Sequence, residues 1–243
     1  MWKPDYPKAI LGNGILYAGT KAIVYGKYKS MKSMLVQRLC LSITSGVPWL
    51  GFQTPSEGVS VLYLQLEIPH PILQDRILTM TNGIDTTKKE MLVWTEHYLK
   101  LDLPQGFERV KGYLEKYQPD VLIIDPIYKV ISADLTRPHA VQIFIDNIDR
   151  LLSDYPITVL LVSHSVKPQQ SKDDKLPPDV WGSDDMLGTT LFSAWADSVI
   201  KVERKDPELR VKFEVIRHAK VEIRPVVVCI DEQLTFPIKT VSI

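Results

Sequence analysis

The chain has 243 residues, of which 45% are hydrophobic and 24% charged, values that are ordinary for a globular protein. Its 29 basic and 29 acidic residues balance, so the net charge does not indicate a nucleic-acid or membrane partner. No apolar run reaches the roughly 18 residues of a membrane helix, the charged start "MWKPDYPKAI" is unlike a signal peptide, and the two cysteines lack metal-ligand spacing, so we expect a reduced, cytoplasmic protein.

Short apolar runs alternate with helical patterns over the first two thirds of the chain. Strands are predicted at 22–26, 59–67, 91–96, 120–125 and 157–164, and helices at 33–46, 71–80, 107–117 and 139–154. Continuous apolar strands that alternate with helices are typical of a buried parallel sheet. We therefore expect an α/β fold with a mostly parallel central sheet and helices on both faces.

The C-terminal part changes character. Short strands with tight connections are predicted at 197–205, 209–220, 225–232 and 234–238, and we expect antiparallel strands added to the sheet edge. Before them, the polar, proline-rich stretch 165–185 is long for a connection, which indicates a mobile or functional loop. With no second domain or linker evident, residues 1–243 are predicted to form a single domain with an N-terminal extension at 1–20.

The stretch "VYGKYKSMKS" (24–33) is close to a phosphate-binding loop, whose pattern is Gly, four free residues, Gly, Lys and Ser or Thr. Gly26, Lys32 and Ser33 are in register, but Met31 stands where the second glycine is expected. In such loops the lysine contacts the β- and γ-phosphates, the serine binds Mg²⁺, and helix N-terminal amides bind phosphate. We expect Met31 to be tolerated if it enters the helix with ordinary dihedrals. The alternative is a lysine-rich turn without a ligand.

Three other polar residues end predicted strands. Asp125 ends "PDVLIID", Glu67 ends "VLYLQLE" and His164 ends "VLLVSH". Because the carboxyl ends of parallel strands meet at one edge of a sheet, these side chains are expected to converge on one crevice with the loop. An acid there can hold Mg²⁺, and another can orient the attacking water. Taken separately, each of the two acids could be a solvated strand end, and the histidine could be a surface imidazole.

With these motifs, the chain resembles the RecA-like P-loop ATPase core, in the branch of RepA- and DnaB-type hexameric helicases. "GKYKSMKS" resembles the Walker A loop, "VLIIDP" the Walker B strand, "VLYLQLE" the strand that ends in the catalytic glutamate, and "VLLVSH" the strand that senses the γ-phosphate. The resemblance implies ATP and Mg²⁺ as cofactors, with Ser33 and Asp125 on the metal and Glu67 as the base.

The stretch "GSDDMLGTTLFSAWADSVIKVER" (182–204) is also similar to this branch, and "FEVIRHAK" (213–220) resembles a strand whose basic residues reach the neighbouring subunit's nucleotide. The resemblance thus implies a homo-oligomer, a hexameric ring or filament, in which Arg217 and Lys220 act in trans. The alternative is an exposed basic strand end.

The candidate site is therefore a defined set of residues. The predicted nucleotide-binding residues are Gly26, Lys27, Tyr28, Lys29, Ser30, Met31, Lys32, Ser33, Met34 and Arg76. The predicted catalytic residues are Lys32, Glu67, His164, Arg217 and Lys220. Tyr28 could cover the loop or point to solvent, and Arg76 could stack on a base or face solvent.

Loops that face DNA in such rings correspond to 132–140 and 165–185. The second contains three lysines and five aspartates, whereas phosphate binding favours clustered basic residues, although a ring multiplies the lysines around its pore.

Three functions stay open: a DNA-dependent ATPase or helicase, a regulatory or loader ATPase without tight DNA binding, and a nucleotide-binding module with little turnover because of Met31. Lys27 also matches the signature lysine of ParA/MinD partition ATPases, but the paired glycines that follow it there are absent.

Overall fold

The computed structural model describes residues 7–96, 98–135, 137–165, 186 and 190–241. The strands are β1 (Ala9–Leu11), β2 (Leu16–Tyr17), β3 (Lys21–Gly26), β4 (Val61–Gln65), β5 (Met91–Thr95), β6 (Val121–Asp125), β7 (Thr158–His164), β8 (Ser198–Lys205), β9 (Glu208–Ile216), β10 (Val226–Cys229) and β11 (Ile238–Val241). The helices are α1 (Lys32–Ser45), α2 (His70–Met80), α3 (Pro104–Tyr117), α4 (Ile127–Val130), α5 (Pro138–Asp154) and α6 (Thr190–Trp195).

Within the described residues, nine strands form the central sheet in the order β11-β10-β9-β8-β3-β7-β6-β4-β5. The six strands from β8 to β5 pair in parallel, and β9, β10 and β11 continue the sheet antiparallel. The predicted fold class, a mostly parallel sheet with antiparallel C-terminal strands, is confirmed. The carboxyl ends of β3, β4, β6 and β7 consequently share one edge of the sheet.

Both faces of the sheet are covered, which explains the continuous apolar strands. Alternate residues of the parallel strands pack with α1 on one face, where Val24, Ile123 and Leu35 belong to one buried cluster. The intervening residues pack with α3, α5 and α6 on the other face, where Ile23, Ile124 and Phe144 are buried together. Burial on both faces leaves the strand ends as the place where polar side chains of the central strands meet solvent.

Residues 7–20 of the predicted extension form part of the packed fold. β1 and β2 pair antiparallel as a two-stranded sheet, and Ile10, Leu11 and Ile15 are buried in the α1-side cluster. The Ser198 hydroxyl donates a hydrogen bond to the carbonyl of Ile15 at 2.5 Å, which ties this segment to the start of β8.

Two predicted C-terminal elements differ from the structure. The strand predicted at 209–220 ends at Ile216, so Arg217 and Lys220 lie beyond it.

The strand predicted at 234–238 is wrong, because Leu234 and Phe236 have positive φ angles of 52° and 55°. The Asp231 carboxylate accepts a hydrogen bond from the Thr235 amide at 2.7 Å, which closes a turn there, and β11 begins only at Ile238.

The predicted loop 165–185 lies outside the described residues except for Ser165. In the part of the chain that the structure describes, no helix is both long and apolar enough to cross a membrane.

Candidate active site

The loop between β3 and α1 begins at a residue that has to be glycine. A Cβ atom on Gly26 would lie 2.3 Å from the Val202 carbonyl oxygen and 2.8 Å from the Ser30 hydroxyl, and the backbone contact could not relax by a rotamer change. The Ser30 amide donates to the Lys27 carbonyl at 3.1 Å, which turns the loop towards α1. The Ser30 hydroxyl is buried without a hydrogen-bond partner among the described residues. A phosphate oxygen is an acceptor that would satisfy it.

Met31 immediately precedes α1 in the left-handed conformation, at φ 63° and ψ 15°. The condition under which Met31 was expected to be tolerated, ordinary helical dihedrals, is therefore not met. The loop has to reverse before the helix can start, and the Met31 carbonyl already accepts the first helical hydrogen bond, from the Leu35 amide at 3.0 Å. A left-handed non-glycine residue costs about 1–2 kcal/mol. The Met31 side chain packs against the α1-side cluster, which offsets part of that cost.

Lys32, the first residue of α1, is 5% exposed. Its ammonium group lies 3.0 Å from Nδ1 of His164 and donates to the Lys27 carbonyl at 3.5 Å. Burial lowers the pKa of Lys32, although Asp125 and Glu67 counteract this. Burial, and secondarily the Lys32 charge, also lowers the pKa of His164. A neutral His164 can accept a hydrogen bond from the Lys32 ammonium group at Nδ1, which leaves its Nε2–H as a donor.

Ser33 and Asp125 meet in a hydrogen bond, with the serine hydroxyl donating to Oδ1 at 3.1 Å. The other carboxylate oxygen, Oδ2, accepts from the Tyr63 hydroxyl at 2.5 Å. Burial raises the pKa of Asp125, while the hydrogen bonds from Tyr63 and Ser33 oppose that rise. A hydroxyl and a carboxylate are hard oxygen donors of the kind that Mg²⁺ prefers, so this pair fits the metal. Ser33 and Asp125 are the residues that would hold it, and the metal would neutralise phosphate charge.

Glu67 lies two residues beyond β4 and is exposed. Its carboxylate accepts a hydrogen bond from the Tyr128 hydroxyl of α4, and its amide donates to the Gln65 side chain at 3.2 Å. Burial, followed by the contact with Glu67, raises the pKa of Tyr128, so the phenol keeps its proton and stays a donor. A carboxylate held in this way beside a phosphate loop can orient water and accept its proton.

The structure thus brings Lys32, Ser33, Glu67, Asp125 and His164 to one edge of the sheet, as the strand ends predict. Their catalytic roles stay predictions. Around them, the Tyr28 ring, whose side chain is 75% exposed, lies 6.1 Å from the His164 ring, and Lys29 has a φ of 61°. Met34 lies in the first turn of α1, and Arg76 is half-buried on α2.

Arg217 and Lys220 lie away from this edge. β9 runs antiparallel to β8 and ends at Ile216, which pairs with Ser198 at the start of β8. Both residues therefore follow the end of β9 at the opposite end of the sheet, where Arg217 donates to the Ala194 carbonyl and is exposed. Neither can reach the phosphate loop of its own chain.

Three contributors to the site were missed from the sequence: Tyr63, Gln37 and Tyr128. Gln37 of α1 donates to the Tyr63 hydroxyl at 3.3 Å, so these two residues continue the contact to Asp125 into the core. The available signal was a tyrosine inside an otherwise aliphatic buried strand, since a buried phenol needs a polar partner.

Comparison with known proteins agrees with this geometry. A family model described as an AAA domain matches residues 1–170. The chain belongs to this AAA-domain family. No curated protein matches the sequence of this AAA-domain chain. Among solved structures, an ATPase domain is similar with a TM-score of 0.67 and 11% identity, over 92% of this chain and 86% of that one. The flagellar accessory protein FlaH from Methanocaldococcus jannaschii is similar with a TM-score of 0.60 and 15% identity, over 92% of this chain and 90% of that one. The AAA-domain chain therefore has the RecA-like P-loop ATPase fold, and the family implies nucleotide binding.

Proposed function

We propose that the chain is a Mg²⁺-dependent ATPase that assembles as a homo-oligomer and couples ATP hydrolysis to action on single-stranded DNA in replication, recombination or repair. The observation that carries the ATPase proposal is the convergence of a buried lysine, a serine–aspartate pair and an exposed glutamate on one edge of the sheet. These groups supply phosphate binding, metal binding and water activation, the three requirements of phosphoryl transfer to water.

Oligomerisation is supported by the position of Arg217. The resemblance to RecA-like ATPases implies that Arg217 neutralises charge on the γ-phosphate, yet Arg217 lies at the opposite end of the sheet from the phosphate loop of its own chain. It can therefore act only on the nucleotide of a neighbouring subunit, and the complete site would form between two chains.

Action on DNA is supported by the resemblance to RepA- and DnaB-type helicases and by the segment that follows the Asp125 strand. Residues 132–135 and 137 lead from α4 to α5 near the carboxyl edge of the sheet, where Arg137 and, in the first turn of α5, His139 are exposed. The second DNA-facing candidate, 165–185, lies almost wholly outside the described residues.

The first test is steady-state ATP hydrolysis with Mg²⁺, with and without single-stranded DNA, at low salt and at protein concentrations that favour assembly. Strong stimulation by DNA supports the full proposal. Hydrolysis without stimulation would favour the regulatory or loader ATPase, an alternative that the similarity to an accessory protein also supports. Nucleotide binding without hydrolysis would favour a binding module silenced at Met31.

Glu67→Gln tests the assignment of the base. Turnover should fall by about 100-fold or more while ATP binding persists, because the amide cannot accept a proton from water. Glu90→Gln is the matched control, since Glu90 is exposed just before β5 at the other edge of the sheet. Equal turnover in wild type and Glu67→Gln would refute the assignment.

A further inference from the structure

The two oxygens of the Asp125 carboxylate have separate partners. Oδ1 faces Ser33 at 3.1 Å, and Oδ2 faces the Tyr63 hydroxyl at 2.5 Å. Ser33 is the other residue proposed for the metal, so the metal-facing side of the carboxylate is Oδ1. Oδ2 is on the protein-facing side, where Tyr63 is its donor.

Tyr63 is fixed in place by its position in the sheet. It lies in β4 with 0% exposure, and it pairs with Ile123 of β6, two residues before Asp125 on that neighbouring strand. Side chains two residues apart on a strand point to the same face, so Tyr63 and Asp125 both face α1. A buried ring in a close-packed layer has little room to rotate, so its hydroxyl is presented at a constant position.

Gln37 sets the direction of the hydrogen bonds. Its Nε2 group donates to the Tyr63 oxygen at 3.3 Å, which leaves the phenolic hydrogen for Asp125. Gln37 Oε1 is buried without a partner among the described residues. The opposite amide orientation would offer a second acceptor to the one phenolic hydrogen, so the assigned orientation is the one in which both hydrogen bonds coexist.

We propose that Tyr63 is a positioning residue that holds Oδ2 of Asp125, so that Oδ1 stays beside Ser33 to receive the hydrated Mg²⁺ of the nucleotide complex. Gln37 supports Tyr63 from α1. This assignment rests on the proposed function, and it adds two residues to which the loop and strand-end motifs assign no role. Without the phenol, the buried carboxylate loses its only donor on the Oδ2 side among the described contacts and can rotate away from Ser33.

The test is Tyr63→Phe, with Tyr25→Phe as the matched control. Tyr25 is also 0% exposed, and its hydroxyl also donates to a carboxylate at 2.5 Å, that of Glu214, but it faces the α5 side of the sheet. The affinity for a fluorescent ATP analogue is measured in EDTA and across a Mg²⁺ titration, and thermal unfolding is measured without nucleotide.

Tyr63→Phe should leave the metal-free affinity unchanged and raise the Mg²⁺ concentration for half-maximal tightening about 10–100-fold, the usual effect of losing a partner of a metal ligand. Tyr25→Phe should keep the wild-type Mg²⁺ requirement. Equal requirements in all three proteins, or an equal shift in both variants, would overturn the assignment. If wild type shows neither Mg²⁺-dependent affinity nor Mg²⁺-dependent hydrolysis, the proposed function itself fails. If wild-type hydrolysis needs Mg²⁺ but the affinity does not change with Mg²⁺, only the assignment of Tyr63 is overturned.

Gln37→Met serves if Tyr63→Phe does not fold. It keeps both Tyr63 and Asp125 and removes only the outer hydrogen bond, so the Mg²⁺ requirement should rise in the same direction by about two- to tenfold. A wild-type Mg²⁺ requirement in folded Gln37→Met would contradict the proposed chain of hydrogen bonds.

Discussion

The left-handed conformation of Met31 predicts an unusual response to substitution. At φ 63° and ψ 15°, a residue with a Cβ atom is strained by about 1–2 kcal/mol, whereas glycine is not. Glycine also makes the unfolded chain more flexible, which lowers the stability of the folded protein by about 0.4–1 kcal/mol. We therefore expect Met31→Gly to be as stable as Met31→Ala or more stable, by up to about 1.6 kcal/mol.

Met34 provides the matched comparison. It lies three residues later in α1, is also half-buried, and packs against the same cluster, but in a helical conformation. There glycine should be less stable than alanine by about 1 kcal/mol. Comparing glycine with alanine at each position cancels the loss of methionine packing, so the two differences should be separated by the strain itself, about 1–2 kcal/mol.

The assay is urea denaturation of the four variants without nucleotide, analysed with a common m-value. Glycine less stable than alanine by the same amount at both positions would refute the left-handed assignment and restore ordinary helical dihedrals at Met31. ATP binding by Met31→Gly should persist, since glycine is the residue that the phosphate-loop pattern has there.

Three further substitutions test the remaining contacts. Burial and the Lys32 charge lower the pKa of His164 below 6.5, the value expected in the unfolded chain. Unfolding therefore takes up a proton near this pH, and the folded state loses stability as the pH falls. In urea titrations, wild type should lose stability relative to His164→Gln between about pH 7.5 and 5.5. Equal losses would contradict a neutral His164. Tyr128→Phe should lower kcat by about two- to tenfold at unchanged ATP affinity, since one hydrogen bond to Glu67 is lost; an unchanged kcat would exclude an orienting role. Arg217→Ala should abolish turnover but not ATP binding, and mixing it with Glu67→Gln should restore part of the turnover, because some interfaces then contain both intact residues. No recovery in assembled mixtures would contradict action in trans.

The sequence predicted those parts of the fold whose signal is local. The sequence places the parallel strands within one or two residues because they are continuously apolar, and it places Asp125 and His164 at strand ends because polar residues end such runs. The strand at 234–238 was wrong because its threonine and phenylalanine favour strands locally, while the Asp231 carboxylate closes a turn on Thr235.

The side-chain contacts that support the site could not be predicted from sequence patterns. Tyr63 and Asp125 are 62 residues apart, and Tyr128 and Glu67 are 61 apart. Each pair meets because β4 and β6 are neighbours in the sheet, although α2, β5 and α3 separate them in the chain. Strand order therefore decides which side chains share a carboxylate, and a single sequence indicates only that the strands exist.

The two glycine positions of the phosphate loop differ in what a side chain would do there. At Gly26 a Cβ atom would lie 2.3 Å from the backbone oxygen of Val202, and only a displacement of β8 could relieve that contact. At Met31 the obstacle is the backbone conformation, an energy of about 1–2 kcal/mol that a packed loop can hold. Lys29 is held in the same way at φ 61°, with its carbonyl accepting a hydrogen bond from Arg204 at 3.4 Å. A side chain at position 26 is thus sterically forbidden, whereas a side chain at position 31 is only strained, so we expect the departure at Met31 to lower the stability of the loop without preventing its formation.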